Sequence, residues 1–78
     1  MPTGMKQLSS LHKGDSAIIE SFSDDLMKQK LLEMGCLPGE MITIDRFAAL
    51  GGPMAIRVNG SMLGLRLDEA ASILVKPV

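Results

Sequence analysis

Apolar residues along this chain change their period several times, and each change marks an element. Asp15–Ser21 alternates, with Ala17 and Ile19 on one face and Ser16, Ile18 and Glu20 on the other, which predicts a strand. Met27, Leu31 and Met34 then recur at helical spacing, with Lys28 and Lys30 off the stripe, so the pattern predicts a helix over 24–34. Ser23 can cap its start, and Asp24 and Asp25 place negative charge at its positive end. Gly35 supplies the left-handed residue that ends it, and Pro38 prevents its resumption.

Period two returns in Met41–Phe47, where Ile42 and Ile44 oppose Thr43 and Asp45. Leu50-Gly51-Gly52-Pro53 reads as a loop. Met54–Val58 sets Met54, Ile56 and Val58 against Arg57. Asn59-Gly60 is a type I′ hairpin signal, because both positions of that turn need positive φ. The return strand, Ser61–Leu67, points Leu63, Leu65 and Leu67 inward and Met62 and Arg66 outward. Gly64 also faces outward, which marks a bulge or the close approach of another backbone. Asp68–Ala71 reads as one helical turn capped by Asp68, and Ser72–Lys76 as a closing strand.

This order predicts a mainly β fold. It is a small SH3-like, partly open barrel of about five strands, with one inserted helix and a one-turn helix before the last strand; another antiparallel meander satisfies the same order. The 78 residues form one domain, 1–78, with 1–7 a flexible lead and Met1–Gly4 its frayed end. A chain this short buries only about 60% of the surface that its unfolded form exposes. The 46% apolar content compensates, mostly through aliphatic residues and seven methionines that fill irregular gaps.

Charge narrows the partners. Eight Lys/Arg against nine Asp/Glu, with no cationic cluster, give no footprint for nucleic acid or for an anionic membrane surface. Apolar runs fall far short of the roughly 20 residues that span a bilayer, and the N-terminus lacks a signal peptide's apolar stretch. The lone Cys36 has no partner for an internal disulfide, which suits a reducing, cytoplasmic setting.

Catalytic and metal chemistry are poorly supplied. Cys36 and His12 have no spacing that builds a structural zinc site, although a metal shared between two chains through either residue stays open. Asp24, Asp25, Asp68 and Glu69 are explained by helix capping. Cys36 lies past a helix C-terminus, where the dipole opposes a thiolate. No glycine sits between a strand and a helix N-terminus as a phosphate loop requires. The expectation is a non-enzyme with no catalytic residue, cofactor or metal ligand. With no Trp or Tyr, a polyproline-reading groove cannot be built either.

The segments KLLEMGCLPGEMITIDR, LGGP, IRVNG, LRLDEA and ILV, in this order, resemble the bacterial FeoA family across about Leu8 to Val75. The resemblance implies a cytoplasmic SH3-like barrel, an accessory of ferrous iron uptake. It would dock on the cytosolic part of FeoB, a membrane transporter with a GTPase domain, and modulate transport or GTP hydrolysis. It assigns Leu31, Met34-Gly35, Pro38-Gly39, Gly51, Pro53, Gly60, Leu65-Arg66 and Ala70 to the shared framework. Met34 replaces the family's usual Leu, and Ala49 and Gly52 stand in the Pro and Asp places of its A-P-L-G-D-P segment, which implies a more flexible loop. A similar module closes some iron-dependent repressors, so a stand-alone SH3-like interaction domain related to them is the alternative. Phe22, Leu50, Met62 and Leu74 are apolar at loop or outward positions, and with Lys30 and Met54 they are the candidate partner contacts. A homo-oligomer also stays open.

Overall fold

Residues 5–78 are described by the structure, a computed structural model. Six strands form one antiparallel sheet in the order β1-β6-β2-β3-β4-β5. They are β1 (Lys6–Gln7), β2 (Ser16–Phe22), β3 (Met41–Phe47), β4 (Met54–Val58), β5 (Ser61–Leu65) and β6 (Ile73–Pro77). The helix α1 (Asp25–Met34) links β2 to β3, and the one-turn α2 (Leu67–Ala71) precedes β6. The mainly β, partly open SH3-like architecture is as the apolar pattern predicts, but with six strands in place of about five, the additional one being the short β1.

Alternation decides where the core lies. Ala17, Ile19, Ile42, Ile44, Met54, Ile56, Val58, Leu65, Ile73 and Val75 all point inward and are buried. Leu8 and Leu11, at a 3-10 turn, join this cluster, together with Leu31, Cys36 and Ala70. Leu31 is the one fully buried side chain that α1 contributes. Asn59 (φ 51°) and Gly60 (φ 80°) adopt the paired positive φ of a type I′ turn.

Two bulges alter the alternation. Register shifts between Ile19 and Ser21, and again between Ile44 and Arg46, leaving Glu20 and Asp45 as the extra residues. Beyond the first bulge, Phe22 pairs with the inward Ile73, and Ser21 with Leu74. Beyond the second, Phe47 pairs with Met54, and Arg46 with the outward Ala55. An unbulged β3 would have driven Arg46 into the core.

Several expectations need correction. The N-cap of α1 is Asp24, not Ser23: its carboxylate accepts from the N–H groups of Leu26 (2.9 Å) and Met27 (3.1 Å). The Ser23 N–H instead donates to the Ser72 carbonyl (2.9 Å), tying the strand's exit to the start of β6. β5 ends at Leu65, and α2 begins at Leu67, with Arg66 at its cap position. The Arg66 N–H donates to the Glu69 carboxylate (2.9 Å), so Asp68 lies inside the first turn and is not the cap. The flexible lead expected over 1–7 falls, for Met1–Gly4, outside the described residues. At Lys6–Gln7 it meets the short β1, paired with Val75 and Leu74.

A candidate docking surface

Among the described residues, the most exposed large apolar side chain lies between β3 and β4. The loop closes where the Ala48 N–H donates to the Pro53 carbonyl (2.8 Å) and the Gly52 N–H to the Ala49 carbonyl (3.2 Å). Within it, Leu50 takes left-handed geometry (φ 59°, ψ 39°), which costs an L-residue roughly 1–2 kcal/mol. Its side chain is fully exposed. Gly52 has no freedom to change: a Cβ there would lie 2.9 Å from the Ala48 Cβ and 3.2 Å from the Ala49 carbonyl oxygen. The side chain that this place would otherwise carry is excluded by the loop's own fold.

Two grooves meet at Pro53. The larger, about 520 Å³, is lined by Gly51, Gly52, Pro53, Arg66, Leu67 and Asp68. The smaller, about 190 Å³, is lined by Arg46, Ala48, Pro53, Ala55 and Gly64, with Met54 beneath its floor. Arg46, Ala55 and Gly64 are cross-strand neighbours on β3, β4 and β5, and form one outward row. Gly64 sits in unbroken β4–β5 register, so no bulge accounts for it. A Cβ at Gly64 would meet nothing within 4 Å, and its φ is not positive.

A second polar feature lies beneath α1. Glu69 is buried, and its carboxylate pairs with the half-exposed Lys30 ammonium at 2.5 Å. The hydrogen bond from Lys30, then that from the Arg66 N–H, hold its carboxyl below the usual glutamate range against the opposing effect of burial. Cys36 is fully buried; that burial first, and the Glu69 charge second, push its thiol up. Among the described residues, no three His, Cys, Asp or Glu side chains converge as a metal site would require. No described helix is long and apolar enough to cross a membrane.

The six residues expected to contact a partner do not form one patch. Leu50 is fully exposed in the loop between β3 and β4, and Met62 lies on the outward face of β5. Leu74, half-buried, is outward on β6, with β2, β3 and β4 between it and Met62. That separation is roughly 19 Å along the sheet at the usual strand spacing. Phe22 is turned by the Glu20 bulge onto the core, against which it packs. Lys30 is engaged by Glu69. Met54 is wholly buried, so it cannot touch a partner: its place in the β4 alternation puts it inside. The sequence reading missed the Arg46–Ala55–Gly64 row, for which the outward Gly64 was the available signal.

Comparison with known proteins gives consistent results. The chain is 35% identical over 71 residues to an Fe(2+) transport protein A/Fe(2+) transporter FeoB fusion protein of Porphyromonas gingivalis; the match covers 90% of this chain but only 8% of that relative's length. An NMR structure of a FeoA-like protein from Clostridium acetobutylicum superimposes with a TM-score of 0.91 and 28% identity, covering 99% of this chain and 91% of that one. The FeoA of Stenotrophomonas maltophilia, a prokaryotic SH3 domain protein solved with zinc, gives 0.79 and 29%, covering 91% and 89%. A manganese-dependent transcriptional repressor shares the fold alone, at 18% identity and a TM-score of 0.89, over 99% of this chain and 38% of the repressor. Residues 6–77 match the FeoA domain, so the chain belongs to the FeoA family.

Proposed function

We propose that this chain is a non-enzymatic accessory of bacterial ferrous iron uptake. It docks on the cytosolic part of a FeoB-type transporter and modulates transport or GTP hydrolysis. The observation that carries this reading is the P. gingivalis relative, in which an iron-transport-A segment and a FeoB segment share one polypeptide. Tethering two modules raises their effective concentration by orders of magnitude, an arrangement that favours a pair that must meet repeatedly. A balanced charge and a small barrel fit a module that acts by contact.

The docking face is centred on Leu50, with Met62 at its margin. A cytoplasmic location, with recruitment to the inner face of the membrane through the transporter, follows from this reading. An NMR titration of the labelled chain with the GTPase domain of the cognate transporter tests it. Saturable shifts around the 48–53 loop support the reading. Their absence at high concentration counts against it, and shifts that depend only on the chain's own concentration indicate a homo-oligomer instead. The repressor-like fold supports a second reading, a free-standing interaction module with another partner, which the same titration separates.

A further inference from the structure

We infer that the groove between the 48–53 loop and the β3–β4–β5 face receives an extended partner segment that carries carboxylates, with its backbone against Gly64. Three observations converge on this occupant. First, Gly64 is unexplained by the fold itself. Glycine inside a strand costs about 0.5–1 kcal/mol, and here neither positive φ, nor a bulge, nor an internal neighbour requires it. What the missing side chain leaves is open surface at a strand edge, where a second backbone can approach closely.

Second, the groove's size selects an extended chain. The row Arg46, Ala55, Gly64 crosses three strands, about 10 Å at the usual spacing. A helix with its side chains is itself roughly 10–12 Å across and would ride above a groove of about 190 Å³. An extended segment, setting every second side chain towards the groove, fits.

Third, the charge of the smaller groove is one-sided, with Arg46 the one charged side chain in its lining. Arg46 is exposed and has no carboxylate within ion-pair distance among the described residues; Asp45, beside it, pairs with Arg57 at 3.7 Å. The larger groove carries both signs, Arg66 and Asp68 lying 3.9 Å apart in its lining, so among the described residues of the two grooves the free cation is Arg46. The Arg46 guanidinium beside the apolar Ala48, Pro53 and Ala55 complements a segment that mixes acidic and apolar residues.

The inference rests on the docking reading above for the partner's identity, and not for the chemistry of the groove. Two probes therefore separate them. The labelled chain is titrated with a short peptide alternating leucine and glutamate, with its lysine-for-glutamate counterpart, and with the cognate transporter's cytosolic domain. The acidic peptide is expected to shift Arg46, Leu50, Ala55 and Gly64 saturably, and the lysine peptide to leave them unmoved. Gly64→Val should keep the thermal midpoint or raise it while weakening acidic-peptide binding by about thirtyfold, the loss typical of a central interface residue. Arg46→Glu should weaken it comparably. No saturable shift with the acidic peptide, or equal binding by Gly64→Val, overturns the inference. If the transporter domain binds wild type and Gly64→Val alike, the inference falls and the docking reading stands. If the acidic peptide seats in the groove while the transporter domain binds nowhere, the docking reading falls instead. A dimer of this chain whose contacts fill the groove would also overturn it.

Discussion

Glu69 is the one buried carboxylate among the described residues, and Lys30 and the Arg66 N–H hold it ionised. Because its folded-state value is lowered, the unfolded chain takes up the proton first as pH falls. Its stabilisation is therefore complete at neutral pH and is lost as acid carries the pH down through the lowered folded value. Glu69→Gln should cost about 1–3 kcal/mol at neutral pH, less if solvent screens the half-exposed Lys30 strongly. Urea midpoints measured from neutral pH into acid should fall more steeply for wild type than for the variant; parallel curves would refute the assignment. Cys36 gives a complementary readout. With its thiol buried and shifted up, it should react with iodoacetamide only at the rate at which the fold opens, and unfolding should release full reactivity. Leu50 carries the opposite kind of local energy, strain in place of a buried contact. Leu50→Asn should raise thermal stability by about 0.5–1 kcal/mol, since Asn tolerates left-handed geometry, and should weaken docking.

At the scale of elements, the capping of α1 separates two adjacent residues. Asp24→Ala should cost about 1 kcal/mol in chemical denaturation, and Ser23→Ala markedly less, because only Asp24 satisfies the first-turn N–H groups. Much of this architecture was legible in the chain. Alternation placed β4 at its observed ends and marked β3 over Ile42–Asp45, ahead of its bulge, and Asn59-Gly60 fixed the hairpin. β1 was not legible, since two residues carry no period and Lys6–Gln7 form a strand only because β6 offers an edge. The bulges were equally hidden. Nothing local to Glu20 or Asp45 announces an extra residue, yet each decides which way Phe22 and Arg46 point. For the candidate site, Leu50 was visible as an apolar loop residue. Met54 was a misreading, because its strand's alternation already placed it inside. The Arg46–Ala55–Gly64 row depends on cross-strand register, which no single strand contains.

At the scale of the whole molecule, the margin is thin. A domain of 78 residues has on the order of 4–12 kcal/mol of stability in total. Leu31 is the only fully buried anchor of α1, and Leu31→Ala should cost about 2–5 kcal/mol, enough to undock that helix or unfold the chain. Circular dichroism and amide exchange would distinguish the two, with α1 amides losing protection first in the milder case. The pairing of Lys6 with Val75 has a different kind of consequence. The first and last strands lie side by side, so a short linker can join residue 78 to residue 5, and the chain can be reopened at the exposed Asn59-Gly60 turn. Such a permutant keeps every strand pair. The barrel is portable: a longer polypeptide can enter and leave it at one point on its surface, without reshaping what lies between.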